Sequence, residues 1–138
     1  LFVSIAMIFI DSDALIGIIV PQDAHHVSAN VVFDRLATSE ERLVTSWETI
    51  DEVATKLSMY FGKDCADLLF SLLSKTNITI VYIDQILSKI IIDIFKKQTS
   101  KNVSLTDCAN IAICRSMGIS TIFSFDVHYK KNGLSLLS

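Results

Sequence analysis

The stretch Met7-Ile-Phe-Ile-Asp-Ser-Asp13 decides the fold, because an apolar run ends there abruptly in acidic and hydroxyl side chains. A short, uninterrupted apolar run is typical of a strand that is buried on both faces of a parallel sheet. Asp11 then stands at the carboxyl end of that strand, and open parallel sheets bind their ligands beyond the carboxyl ends of their strands. The stretch therefore predicts an α/β fold with a candidate site at Asp11.

Strands and helices alternate along the rest of the chain. The predicted strands are 7–10, 42–45, 78–82 and 121–124, with a weaker extended segment after Asp126. The predicted helices are 14–20, 24–36, 64–74, 83–97 and 104–117, with one more between Ser46 and Gly62. Asp23, Ser46 and Ser104 are the predicted N-caps, since short polar side chains accept hydrogen bonds from free N–H groups there. This alternation indicates a layered α/β fold with a mostly parallel sheet in one domain.

The composition argues against some classes of protein. With 51% hydrophobic residues and a mean hydropathy of +0.48, the chain has apolar side chains left for a partner surface after its core is filled. The net charge of −3 argues against binding of nucleic acid through overall charge, and it leaves open a local basic rim around an acidic centre. Lys96, Lys97 and Lys101 are one candidate for such a rim, and a solvated helix end is the other interpretation.

The cysteines and the N-terminus bear on the compartment. Cys65, Cys108 and Cys114 are odd in number and contain no Cys-x-x-Cys pair, so we expect a reducing cytoplasm rather than a disulfide framework or zinc site. Residues 1–10 are almost wholly apolar, but they lack a basic start and a cleavage site and are too short to span a bilayer. Met7 is a candidate natural start, with residues 1–6 vector-derived or a pre-start extension, unless the chain is truncated.

Four carboxylates from distant segments are placed to meet at one rim. Asp11 and Asp126 follow the first and fourth strands. Asp107 lies in the first turn of the helix that leads into the fourth strand, and Glu52 lies in the helix after the second strand. Carboxylates that converge raise each other's pKa, and hard divalent cations relieve the repulsion through oxygen ligation. Mg²⁺ or Mn²⁺ held in this way can activate water for phosphodiester cleavage.

Four segments resemble the successive blocks of PIN domains. The opening block is Ile8-Phe-Ile-Asp-Ser-Asp-Ala-Leu-Ile16, and the second is Val44-Thr-Ser-Trp-Glu-Thr-Ile-Asp-Glu-Val53. The third is Ser104-Leu-Thr-Asp-Cys-Ala109, and the fourth is Ile122-Phe-Ser-Phe-Asp-Val-His-Tyr129. These blocks occur in the family's order and cover nearly the whole chain.

The resemblance implies a PIN-like three-layer α/β/α domain over residues 1–138, with a central, mostly parallel sheet of four to five strands. In size and pattern the chain is similar to the VapC-type toxins of toxin–antitoxin pairs. That likeness implies an Mg²⁺- or Mn²⁺-dependent endoribonuclease, the toxin of a type II pair. It also implies a homodimer, an RNA substrate, inhibition by a cognate antitoxin protein and no membrane.

By the same resemblance, the four acids are carried over as catalytic and metal-binding residues: Asp11, Glu52, Asp107 and Asp126. Asp11 and Asp107 are expected to be direct ligands. Glu48 lies one turn before Glu52 on the same stripe of its helix, so the choice of the second acid stays open. Asp11 is also a candidate helix cap, and Asp107 is a candidate for the acidic position of a capping box with Ser104. A residue can serve both as a cap and as a ligand.

Other residues are expected to support the acids or to contact the substrate. Ser12 and Thr106 are expected to hydrogen-bond the acids. Asp13 departs from the family pattern, because many relatives have a neutral polar residue at its position. Several relatives carry Arg or Lys just after the fourth acid, where this chain has Val127 and His128. The phosphate contacts then fall to His128, Lys130 and Lys131.

Two rival functions compete with the ribonuclease. Asp11 and Asp13 also resemble the Asp-x-Asp opening of haloacid-dehalogenase-like phosphatases, in which the first Asp is a nucleophile and the second a general acid. The later blocks of that family are poorly matched, and the chain is short for it. The other rival is a non-catalytic PIN-like interaction module with vestigial acids.

Overall fold

The computed structural model describes residues 5–138, so residues 1–4 of the possible extension before Met7 lie outside the described residues. The strands are β1 (Met7–Ile10), β2 (Arg42–Ser46), β3 (Ile78–Val81), β4 (Thr121–Phe123) and β5 (Ser135–Leu137). The helices are α1 (Ser12–Ile19), α2 (His26–Ala37), α3 (Trp47–Phe61), α4 (Lys63–Lys75), α5 (Gln85–Lys97), α6 (Leu105–Met117) and α7 (His128–Lys131).

The first strand lies at the centre of the sheet. In the described part of the chain, five strands form one parallel sheet in the order β3-β2-β1-β4-β5. Phe9 of β1 stands opposite Val44 on one side and Ile122 on the other, and it has no exposed surface. Because all strands run the same way, the segments that follow β1, β2 and β4 emerge at the same edge.

Helices cover both faces of the sheet. Ile8 and Ile10 pack into one core with α1, α2, α3 and α4, whereas Phe9 packs into a second core with α5 and α6. This alternation follows from the pleat, which sends successive side chains to opposite faces. The predicted three-layer α/β/α architecture with a parallel sheet is confirmed.

The structure differs from the sequence prediction at several ends of elements. The predicted Asp23 cap is wrong: its carboxylate accepts the N–H of His25 at 2.8 Å in a turn, and α2 begins only at His26, with no side-chain cap. Likewise α5 begins at Gln85 rather than residue 83, because Asp84 accepts the N–H of Leu87 at 2.8 Å and caps the helix there. The segment after Asp126 contains the short helix α7 before the extended strand β5.

All three cysteines are free thiols. Across residues 5–138, no helix combines the length and apolarity that crossing a bilayer requires.

Candidate active site

Asp11 lies at the carboxyl end of β1 with only 4% of its surface exposed. Its Oδ1 accepts hydrogen bonds from the Ser12 N–H at 2.8 Å and from Nδ2 of Asn110 at 3.1 Å. Its Oδ2 accepts one from the Ser124 hydroxyl at 2.8 Å. The Ser12 bond makes Asp11 the N-cap of α1, so the capping role is real and both carboxylate oxygens already have donors.

Asn110 and Tyr129 connect Asp11 to Asp107. Both Asn110 and Tyr129 are fully buried, and Nδ2 of Asn110 also donates to the Tyr129 Oη at 3.0 Å. That hydroxyl in turn donates to Oδ1 of Asp107 at 3.2 Å. The other oxygen of Asp107 accepts the Ser104 N–H at 2.9 Å and completes a capping box at the start of α6. Asp107 therefore occupies the acidic position of the capping box and is also connected to Asp11 through Tyr129 and Asn110.

The end of β4 brings in two more acids through Ser124. The Ser124 Oγ lies 3.3 Å from Oδ2 of Asp13, and it accepts the N–H of Asp126 at 3.1 Å. Asp13 also accepts the N–H of Phe125 at 2.9 Å. The structure thus joins Asp11, Asp13, Asp107 and Asp126 through hydrogen bonds and short side-chain contacts, and we call these four residues the acidic cluster.

His128 lies between two members of the acidic cluster. Its Nδ1 contacts Oδ1 of Asp126, and its Nε2 lies 3.6 Å from Oδ2 of Asp107. Only 13% of the imidazole is exposed, and its ring packs on Tyr129 with 4.1 Å between ring centroids. The imidazole therefore occupies the space between two carboxylates that are expected to bind a cation.

Burial dominates the electrostatics of the acidic cluster. Desolvation, with the charge of Asp13 as the next cause, raises the pKa of Asp11 to about 7. Desolvation also raises the pKa of the Asp13 carboxyl. Burial and the charges of Asp11 and Asp107 raise the pKa of the Tyr129 phenol, so the phenol stays protonated and acts as a donor. Within residues 5–138, no cationic side chain counteracts this rise in the pKa of Asp11.

The second acid lies outside the hydrogen bonds of the acidic cluster. Glu52 forms an ion pair with Lys56 at 3.4 Å on the surface of α3. Thr49, one turn before Glu52 on a shared side of α3, donates to Oδ1 of Asn110 at 3.3 Å, which turns this side toward the acidic cluster. Glu48 lines a cavity of about 230 Å³ at the start of α6, and its Oε2 is buried without a hydrogen-bond partner among the described residues.

The expected supporting residues are placed in different ways. Ser12 supports Asp11 through its backbone N–H rather than its hydroxyl. Thr106 lines the cavity beside Glu48 instead of bonding a carboxylate of the acidic cluster. Lys131 and His128 line a polar groove next to Asp126, whereas Lys130 is exposed outside it.

The donor set suits a hard divalent cation. Carboxylate oxygens are the ligands that Mg²⁺ and Mn²⁺ prefer. Oδ1 of Asp13 and Nε2 of His128 are buried without a hydrogen-bond partner in the described residues, and burial together with the charge of Asp13 raises the pKa of Asp11. Within residues 5–138, however, no three Asp, Glu, His or Cys side chains already stand in a metal-holding arrangement. His128 lies between two of these acids, Asp107 and Asp126.

Three residues of the network were missing from the sequence prediction: Asn110, Ser124 and Tyr129. Asn110 stands among apolar residues of α6, and a lone Asn in a helix carries no signal of its own. Ser124 ends the predicted fourth strand in a position equivalent to that of Asp11 after β1, so its location at the same edge was the available signal. All three are fully buried, which only the assembled fold determines.

The chain resembles proteins of one family in sequence and fold. Residues 8–133 match the PIN domain family. No curated protein matches the chain by sequence.

Among solved structures, the fold is similar to that of VapC20 from Mycobacterium tuberculosis, a sarcin-ricin loop cleaving toxin. The two share 19% identity and a TM-score of 0.84 over 93% of this chain and 96% of that one. The fold is also similar to that of VapBC2 from Rickettsia felis, bound to a DNA fragment from its promoter. The identity is 12% and the TM-score is 0.70, over 95% of this chain and 97% of that one. For FitAcB from Neisseria gonorrhoeae the identity is 18% and the TM-score is 0.65, over 96% of this chain and 97% of that one. At these identities the likeness shows the fold.

Proposed function

Because the chain belongs to the PIN domain family, we propose that it is a metal-dependent endoribonuclease that cleaves RNA phosphodiester bonds. The observation that carries the proposal is the acidic cluster, in which acids from the ends of β1 and β4 and the start of α6 meet through Asn110, Ser124 and Tyr129. Burial and the charge of Asp13 raise the pKa of Asp11, and a bound cation would favour the ionised carboxylate against both effects.

The acids divide into holding and proton-handling roles in this proposal. Asp11 and Asp107, fixed by Asn110 and Tyr129, hold Mg²⁺ or Mn²⁺, with Glu52 and Asp126 completing the set. The cation, when bound, supplies positive charge for the phosphate and lowers the pKa of water. Asp126 has 49% of its side chain exposed, which suits it to accept the proton of the attacking water.

The test of this function compares wild-type protein with Asp107→Asn on a generic single-stranded RNA. We expect cleavage that requires Mn²⁺ or Mg²⁺ and stops in EDTA. The cleavage rate should fall at least about 100-fold in Asp107→Asn, because loss of a carboxylate weakens binding of the cation and its stabilisation of charge in the transition state. The matched control is Asp67→Asn, which removes an exposed charge from α4 and should leave the rate unchanged. Metal-independent cleavage, or equal rates in both variants, would contradict the proposal.

The variants Glu52→Gln and Glu48→Gln test which of these two glutamates contributes to the metal site. Since Glu52 shares a side of α3 with Thr49, which contacts the network, we expect Glu52→Gln to lower the cleavage rate at least about tenfold and to weaken Mn²⁺ binding. Glu48→Gln should cost less than threefold and should slightly raise the melting temperature, because its buried Oε2 lacks a donor. The reverse ranking, measured by calorimetric Mn²⁺ titration and cleavage rate, would assign the role to Glu48.

We also propose that the chain is the toxin of a type II toxin–antitoxin pair, acts in the cytoplasm and forms a homodimer. The structural neighbours VapBC2 and FitAcB support this assignment. The chain also exposes large apolar side chains that a protein partner can cover, including Met59, Tyr60, Ile86, Ile92 and Phe95. A neighbouring gene for a small DNA-binding protein that inhibits the cleavage would support the pairing, and its failure to inhibit would argue against it.

The rival functions fare worse on the same geometry. A phosphatase nucleophile must reach the phosphorus atom of a bulky phosphate group, and Asp11 is only 4% exposed with hydrogen bonds on both oxygens. A small cation needs only a lone pair that these hydrogen bonds leave free. The family match also lies with PIN domains. A folded protein that binds no Mn²⁺ and cleaves no RNA would leave the interaction module as the function.

A further inference from the structure

A polar groove opens directly beside the acidic cluster. It has a volume of about 410 Å³ and begins at Asp126 and His128. One wall is the end of α5 with the loop that follows, and the other wall is α7 with its flanking residues. The remaining lining residues are Lys97, Gln98, Thr99, Ser100, Asn102, Val103, Val127, Lys131 and Asn132.

The floor of the groove is a pair of amide side chains. Nε2 of Gln98 donates to Oδ1 of Asn132 at 3.0 Å, and Nδ2 of Asn132 donates to Oε1 of Gln98 at 3.3 Å. Gln98 is also anchored to the carbonyl of Ile94, and Asn132 to the carbonyl of His128. These bonds tie the two walls together across 34 positions of the chain, so the groove has a defined shape beside His128.

One lysine from each of two adjacent pairs lines the groove. Lys97 and Lys131 line it, while their neighbours Lys96 and Lys130 do not. Adjacent residues in a helix point about 100° apart, which accounts for one member of each pair lining the groove while the other lies outside it. The two walls therefore each present one ammonium group to a cavity whose other lining side chains are mostly polar.

We propose that this groove binds the phosphodiester backbone of the RNA strand beside the bond that is cleaved, with Lys97 and Lys131 each contacting a phosphate. The inference rests on the proposed ribonuclease function and names the path of its substrate. Ammonium groups and hydroxyl or amide donors suit phosphate oxygens, and such contacts hold a strand without reading its bases. The groove begins at Asp126, so a strand lying in it reaches the acidic cluster directly.

The test uses two double variants with the same change of charge, Lys97→Gln/Lys131→Gln and Lys96→Gln/Lys130→Gln. Binding of a fluorescent single-stranded RNA is measured by anisotropy in EDTA, where cleavage cannot interfere, at several salt concentrations. For the groove variant we expect about tenfold weaker binding, and a plot of log affinity against log salt flatter by about 1.4, the value for two phosphate contacts on a single strand. The outer variant removes the same charge from lysines that do not line the groove, so it should stay within about twofold of wild type, even though the sequence predicted Lys130 as a phosphate contact.

Cleavage with Mn²⁺ then separates this inference from the function on which it rests. A raised KM with little change in kcat for the groove variant supports a binding role outside the chemistry. Equal binding losses in both double variants overturn the groove, whatever the activity of the wild type. A wild type that cleaves no RNA overturns the ribonuclease alone, since the binding comparison still decides whether the groove holds RNA.

Discussion

Replacing Asp11 with asparagine is expected to abolish metal-dependent RNA cleavage and to stabilise the metal-free protein above pH 7. Both effects come from the same buried carboxylate. Asparagine keeps the N-cap of α1 and can still bond Asn110 and Ser124, so the packing is preserved. It removes the negative charge that a cation needs, and activity should fall at least about 100-fold.

The stabilisation follows from the pKa of Asp11, which rises from 3.8 to about 7 on folding, mainly through burial. Between these values the folded protein holds a proton that the unfolded chain has lost. The contribution of Asp11 to stability is therefore fully present below about pH 4 and is lost as the pH rises through about 7. Above pH 7 the ionised, buried carboxylate costs on the order of 2–4 kcal/mol, and asparagine avoids that cost.

Thermal unfolding in EDTA from pH 5 to pH 8 measures this effect. The wild-type melting temperature should fall across this range more steeply than that of Asp11→Asn, and the variant should be the more stable protein at pH 8. Added Mn²⁺ should raise the wild-type melting temperature and leave Asp11→Asn nearly unchanged. If Asp11→Asn were less stable than wild type at pH 8, the ionised Asp11 carboxylate would not be destabilising, and this explanation would be wrong.

Replacing Asn110 with alanine should have the largest effect on folding. Asn110 is fully buried, donates to Asp11 and Tyr129, and accepts from Thr49. Alanine would leave three buried polar groups short of a partner, and each such group costs about 1–3 kcal/mol. Allowing for partial relaxation, we expect a loss of about 2–4 kcal/mol in the free energy of unfolding.

Urea unfolding measures the loss, with Asn77→Ala as the control, because Asn77 is exposed after α4 and should change stability by less than about 0.5 kcal/mol. If Asn110→Ala does not fold, Thr49→Val tests the same network more mildly, since it removes the hydroxyl that donates to Oδ1 of Asn110. We expect that variant to lose about 1–2 kcal/mol. Wild-type stability in both variants would show that the network carries little energy.

The positions of three acids were readable from the sequence because local patterns fix them. Asp11 follows an apolar strand, Asp107 stands three residues after a capping serine, and Asp126 follows a second apolar strand. Each pattern determines where its own element ends, and parallel strands bring those ends to one edge. The choice between Glu48 and Glu52 was not readable, because both lie on one side of α3 and differ only in what they meet across the fold.

The partners of these acids depended on tertiary packing. Tyr129 reads as an aromatic residue in a loop, and its burial comes from the way α7 folds back on the second core. The groove was equally hidden, because it needs Gln98 and Asn132 to meet from opposite ends of the last third of the chain. Lys131 was predicted as a phosphate contact for its charge alone. The sequence did not show that Lys131 lines the groove and Lys130 does not.

The central place of β1 has a consequence for the synthesis of the protein. Ile8 of β1 pairs with Thr121 of β4, so the sheet cannot close around its first strand until β4 has been made. Such distant pairings slow folding, because a long loop must be closed before they form. The acidic cluster cannot be complete on a ribosome-bound fragment that lacks β4 and α7. A growing chain therefore lacks the proposed nuclease site until β4 and α7 have left the ribosome.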